Sequence, residues 1–213
     1  MCPEVQRPRP YDTSHRRAQA LATRAAVLRV AHALFVERGY RATTIAAVAE
    51  EAGVSSPTVY AAFSTKADLL RRVIEVALAG DDEPLAVAER PTVAWVNEAD
   101  EAPELLRRYA VMCGEMSARS GPIFKVLAAA ADVDPALAEL AATFESQRLF
   151  AARAVAGAVA ERNGLRSDLA IEEARDIIWV GASSELFALA TKRQWPLNRY
   201  VEFVHQIFLQ ITN

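Results

Sequence analysis

Ser55, Ser56, Thr58 and Tyr60 crowd the start of one short helical pattern, and Lys66 opens the next. Small polar side chains at a helix start let the backbone approach base edges and phosphates, so this group suits contact with a nucleic acid. A cation in a first helical turn is disfavoured by the helix dipole unless an anion stands beside it, and a DNA phosphate would be such an anion. Covalent chemistry finds less support. His15, His32 and His205 are far apart, and none is accompanied by Cys, Ser or a carboxylate in a recognisable motif. There is no glycine-rich phosphate loop and no metal-ligand spacing. Cys2 and Cys113 are too few for a disulfide scaffold, and Cys113 reads as a small buried hydrophobe with a redox role left open. The expectation is a protein that is not an enzyme and needs no metal or other cofactor.

Two short helices must position these groups. Over Thr44 to Phe63, Ile45, Val48, Ala49 and Ala52 recur at helical spacing and form one apolar face. Gly53 supplies the left-handed residue that ends a helix, Ser55 stands as the next N-cap, and Pro57 falls in a first turn where its missing N–H costs nothing. Val59 and Phe63 bury the second helix, leaving Ser56, Thr58, Tyr60, Ala61 and Ala62 on or near its outer face. Such a pair is a helix-turn-helix, whose second helix enters a major groove. The competing reading is an ordinary helical hairpin.

Charge favours the first reading. The 213-residue chain carries a net charge of −3, yet residues 1–72 hold 11 Lys and Arg against 6 Asp and Glu, and the remainder 13 against 21. A basic head on an acidic body suits a polyanion partner. At 52% hydrophobic and 24% charged, the composition is that of a globular protein. No apolar run approaches the ~18 residues of a spanning helix. The N-terminus lacks an apolar signal segment, so a cytoplasmic protein is expected, nucleoid-associated when bound to DNA.

In chain order, residues 1–18 read as a flexible basic arm, 19–65 as the helix-turn-helix domain and 66–213 as a second, helical domain. Helix begins near Leu21, carries the stripe Val27, Val30, Ala31, Leu34 and Phe35, and closes at Gly39; Thr43 is read as the N-cap of the next helix. Thr65 and Asp68 approximate a capping box for a fourth helix reaching Ala79. Asp81 to Pro103 reads as an acidic loop interrupted by Pro84, Pro91 and Pro103, with Trp95 and Val96 as its apolar anchor. Helices follow at about 103–119, 121–131, 134–163, 168–193 and 197–212, and no useful strand-like alternation occurs. The fold class is all-α.

The stretch ERGYRATTIAAVAEEAGVSSPTVYAAFSTKADLL, Glu37 to Leu70, closely resembles the DNA-binding head of TetR-type transcriptional regulators. The shared pattern is a helix ending in E-R-G-Y/F, a threonine pair, A-x-x-A-G-V-S, T-V/L-Y-x-x-F and K-x-x-L-L. DDEPLAVAERP, VLAAAADVDPALAEL and ARDIIWVGASSELFAL resemble segments of an actinobacterial-style branch of that family. The resemblance implies that Thr44 bonds a DNA phosphate through hydroxyl and backbone N–H. It also implies that Ser55, Ser56 and Thr58 face the groove, and that Tyr60 and Lys66 each reach a phosphate. Ala61 and Ala62 depart from the family, where larger side chains are common, which shifts weight to thymine methyls and DNA shape.

The same resemblance implies a three-helix head joined by a fourth helix to a ligand-binding and dimerisation body. An apolar pocket there would draw on Trp95, Met112, Met116, Phe124 and Trp179, with each residue alternatively plain core. Small residues Gly181, Ala182 and Ser183 and the heptad-like seam Val201, Val204, Phe208 and Ile211 would build a homodimer interface, or else pack within the chain. The expected protein binds double-stranded operator DNA and a small apolar or amphipathic effector that releases it, as a repressor does. A helical small-molecule-binding protein without sequence-specific DNA binding is the alternative.

Overall fold

The computed structural model describes residues 13–213, all helix and connecting turns save one isolated antiparallel bridge between Leu165 and Thr212. Residues 1–12 of the expected basic arm lie outside the described residues, and from Thr13 the chain is already helical. Helix α1 spans Thr13–Ala42 with a break at Gly39 (φ 77°), a conformation that glycine adopts without steric cost. The head continues with α2 (Ile45–Glu51), α3 (Ser56–Ala62) and α4 (Lys66–Ala79). Val27, Ala31, Leu34 and Phe35 of α1, Val48 and Ala49 of α2, and Val59 and Phe63 around α3 are buried together.

Helix α4 is capped at both ends. The Thr65 side chain accepts from Asp68 N at 3.0 Å, and the Asp68 carboxylate accepts from Ser64 N at 3.1 Å. Gly80 ends the helix at φ 95°. Its Leu69, Leu70, Val73 and Ile74 are fully or almost fully buried in the head core, alongside Ile123 and Leu127 of the body. The expected division at residue 65 therefore does not mark a gap in packing, because one apolar core runs across it.

The body is built on the hairpin of α6 (Ala102–Ala131) and α7 (Pro135–Glu161), with α5 (Pro91–Asn97) before it and α8 (Ile171–Gly181), α9 (Ser184–Lys192) and α10 (Leu197–Phe208) after it. A second core joins Leu105, Leu106 and Tyr109 to Ala152, Val159, Ile178, Tyr200, Val204 and Phe208. Four sequence expectations change. Helix α6 runs unbroken through Pro122, because burial of Ser120, Ile123 and Leu127 on either side outweighs the missing hydrogen bond, worth about 3 kcal/mol. The acidic stretch after α4 contains a 3₁₀ turn at Val87–Glu89 and helix α5, which Val96 anchors in the core while Trp95 stays 36% exposed. The helix expected over 168–193 divides at Ser183, whose side chain accepts from Leu186 N and caps α9.

The fourth change concerns the heptad-like seam. Val204, Phe208 and Ile211 point into the chain's own core, and the α-carbon side of Gly181 faces Phe208. The small residues do permit close helix approach, but within the chain. A methyl group added at Gly181 would stand 2.6 Å from the Phe208 ring, whereas one added at Gly157 meets nothing within 4 Å. Gly181→Ala should thus lower stability by about 1–3 kcal/mol through overpacking, while Gly157→Ala in mid-helix should leave it unchanged or raise it by up to about 1 kcal/mol. Thermal melts of the two variants check this contrast.

Candidate nucleic-acid interface

The exposed polar groups of the head are held by local capping. Thr44, not Thr43, is the N-cap of α2: its hydroxyl oxygen accepts from Ala47 N at 3.1 Å. Thr43 is buried instead, donating to the main-chain oxygens of Leu34 at 3.0 Å and Gly39 at 2.9 Å, so its hydroxyl is committed to the end of α1. Thr44 stays exposed, with its O–H proton free to donate outward. Gly53 (φ 68°) turns the chain, and Ser55 caps α3 by accepting from Thr58 N at 3.3 Å.

Ser55 Oγ and Thr58 Oγ1 are 2.8 Å apart, so one hydroxyl proton lies between them and the other is available. Ser56 is half-buried and Tyr60 is 53% exposed. Among the described residues the Tyr60 hydroxyl has no hydrogen-bond partner. Val59 and Phe63, at 0% and 1% exposure, seat the opposite side of α3 in the core. Thr58, Tyr60, Ala61 and Ala62 thus share an outward surface whose backbone another surface can approach closely.

Lys66 is engaged within the chain. Its Nζ donates to the carbonyl oxygens of Tyr40 at 3.0 Å and Thr43 at 3.1 Å and lies 4.2 Å from the centre of the Tyr40 ring. The cation at the start of α4 is stabilised by the chain's own carbonyls. Partial burial lowers the Lys66 pKa from its ordinary value, with Asp134 opposing that shift. An ammonium has three donors, so one N–H remains after these two bonds. A residue that sequence reasoning passed over is Arg24, whose guanidinium stands 4.7 Å from the centre of the Phe63 ring and donates to Ala62 O at 3.4 Å. The only hint was its place in the basic surplus of the head.

The five residues considered for an effector pocket do not converge. Met112 and Met116 line a cleft of about 270 Å³ with Leu78, Gly80, Val93 and Arg119. Trp95 lies outside that cleft, under the Arg108 guanidinium at 5.3 Å. Phe124 packs edge-on to Phe144 at 5.5 Å beside the head core. Trp179 lies under Arg148 at 4.5 Å in an open groove along α7 and α8. Among the described residues no three His, Cys, Asp or Glu side chains gather as a metal site, and no helix is long and apolar enough to cross a membrane.

This fold and this exposed second helix define a helix-turn-helix, DNA-binding transcriptional regulator. Residues 27–73 match the family model described as bacterial regulatory proteins, tetR family. An uncharacterized HTH-type transcriptional regulator of Bacillus subtilis (strain 168), YdeS, is 30% identical over 159 residues, covering 74% of this chain and 74% of the relative. A Rhodococcus sp. protein described as a TetR-family transcriptional regulator shares the fold with a TM-score of 0.69 at 16% identity, over 90% of this chain and 98% of that one. The fatty acid degradation regulator FadR from Bacillus halodurans does so with a TM-score of 0.69 at 19% identity, over 88% and 94%. The chain belongs to the TetR family of bacterial transcriptional regulators.

Two measurements follow from this geometry. Lys66→Met should cost about 1.5–3 kcal/mol of stability by removing its charged hydrogen bonds to Tyr40 O and Thr43 O, and should speed hydrogen exchange where α1 meets α2. Cys113 is buried, and burial pushes its thiol up to about 12, so its thiolate fraction at pH 8 is on the order of one in ten thousand. A thiol reagent at pH 8 should leave Cys113 unmodified in the native protein and label it once denaturant is added, as peptide mass mapping would show.

Proposed function

We propose that this chain is a homodimeric, effector-responsive repressor acting in the cytoplasm, and not an enzyme. The carrying observation is the surface of α3: Val59 and Phe63 fix the helix from beneath, while Thr58, Tyr60, Ala61 and Ala62 face outward, with Tyr60 the one large side chain among them. Thr44, through hydroxyl and backbone N–H, and Tyr60, through its hydroxyl, contact phosphates on either side of the groove. Ser55, Ser56 and Thr58 face base edges. Lys66 holds the α1–α2 turn with two donors and offers its third to a phosphate beside Thr44.

The two-headed state is supported by apolar side chains left exposed on α8 to α10, Val180, Leu189, Leu197 and Phe203, the last stacked edge-on against Trp195 at 5.4 Å. Pairing through that face would place two recognition helices about one DNA turn apart, roughly 34–36 Å. The effector site is the cleft at the end of α4, where the two methionines and Val93 present apolar surface beside the Arg119 guanidinium. Such a lining suits a small amphipathic molecule, in keeping with the fold neighbour named for fatty acid degradation. Placement within an actinobacterial-style branch rests on the three body segments quoted above.

Fluorescence anisotropy on DNA from upstream of the chain's own gene, against random DNA at several salt concentrations, tests the reading. Affinity should fall steeply with salt, with a logarithmic slope of about −0.9 per phosphate neutralised. Tyr60→Phe should weaken binding to every sequence equally. Thr58→Ala should reduce discrimination between operator and random DNA by about 1–3 kcal/mol; equal losses on both would overturn its assignment. Ala61 and Ala62 favour a second reading, a ligand-binding protein whose head no longer reads sequence. Binding to every DNA with one affinity, or to none, would select it.

A further inference from the structure

Asp81 and Asp82 follow α4 in one turn and face opposite ways. Asp82 points to the head. Its carboxylate accepts from Arg24 Nε on α1 at 2.7 Å and from Arg72 Nε on α4 at 2.7 Å, with the Asp82 side chain only 18% exposed. Arg24 carries the contact onward, because its guanidinium covers the Phe63 ring and donates to Ala62 O at the end of the recognition helix. Asp81 points to the body. It accepts from Arg90 Nη1 at 2.5 Å, and Arg90 also donates to the main-chain oxygens of Glu83 and Leu85.

Arg90 is 7% exposed and forms a wall of the 270 Å³ cleft, as do Leu78, Ala79 and Gly80 at the end of α4. Arg119, another wall, donates to Ala77 O and Leu78 O at 3.3 Å each. The chain between cleft and recognition helix is short and polar: Arg90, Asp81, Asp82, Arg24, then Ala62 and Phe63.

Resting on the regulator reading above, we infer that Asp82 is a positioning residue for the recognition helix, and that through Asp81 and Arg90 it reports occupancy of the cleft to that helix. A molecule wedged between Arg90 and the end of α4 shifts the Gly80–Glu83 turn. Asp82 then leaves the Nε groups of Arg24 and Arg72, and Arg24 no longer holds the end of α3. Asp82, Arg24, Arg72 and Arg90 are largely shielded from solvent while Asp81 is half exposed, so a small displacement costs contacts on the head side that water does not fully replace. This route runs beside the apolar contacts of α4 and needs no rotation of that helix.

The test uses the full chain and four proteins: wild type, Asp82→Asn, Thr92→Trp and the double variant. Thr92 is an exposed wall residue of the cleft, so an indole there stands in for an occupant. By anisotropy on upstream DNA, each single variant should weaken operator binding about tenfold, with a smaller loss on random DNA. The double variant should bind no more weakly than Asp82→Asn alone. Losses that multiply would overturn the inference. Arg24→Gln, which cuts the same link from the head side, should reproduce the Asp82→Asn result; wild-type affinity in Arg24→Gln would also overturn it. Hydrogen exchange at Val59 to Phe63 gives a readout without DNA. It should quicken in Asp82→Asn and in Thr92→Trp while Leu34 stays protected, and unchanged exchange would sink the relay. Failure of the wild type to bind any DNA would remove the regulator reading, and the exchange result would still decide whether the relay exists.

Discussion

The buried face of α4 is the constraint on which the rest depends. Leu69, Leu70, Val73 and Ile74 fill the space between α1 and the far end of α6, and each contributes about 1.5–3 kcal/mol by leaving water. Because α4 packs on both α1 and α6 within one core, the short helices α2 and α3 inherit a rigid floor. Seven residues each are too few for such helices to persist alone. They hold their angle because Val48, Val59 and Phe63 are sealed against α1 and α4. That leaves the outer surface of α3 free of structural duty.

Polar groups then refine what the apolar core fixes. Thr43 and Lys66 spend their donors on the last carbonyls around the end of α1, which pins the start of α2 beneath Thr44. Arg24 does the same for the end of α3. The head is thus basic in composition, yet some of its cations work inward, and the charge available to a polyanion is smaller than the formal excess of residues 1–72 suggests. Main-chain donors and hydroxyls carry a larger share of any phosphate contact.

Much of this was legible in the residues. Periodicity and caps located α2, α3 and α4 closely, because Gly53, Ser55, Pro57 and Thr65 each have one dominant local use. Local rules failed where tertiary packing decides. Pro122 reads as a helix start, but Ile123 and Leu127 hold the helix through it. Thr43 and Thr44 are equivalent by type, and only the carbonyls of Leu34 and Gly39 choose which one turns inward. Val204 and Phe208 show a seam, but periodicity does not say whether the partner helix belongs to the same chain. The pocket was the least legible. Met112 and Met116 share a wall by spacing along one helix, while Trp95, Phe124 and Trp179 are scattered by folds of the chain that no short pattern encodes.

The most direct measurement is hydrogen exchange of the full chain, resolved by peptide, with and without saturating upstream DNA. Exchange should slow over Thr44 to Ala47 and over Ser55 to Ala62, with α10 unaffected. DNA binding that leaves those two segments unchanged, or that protects another surface in their place, would contradict the assigned interface.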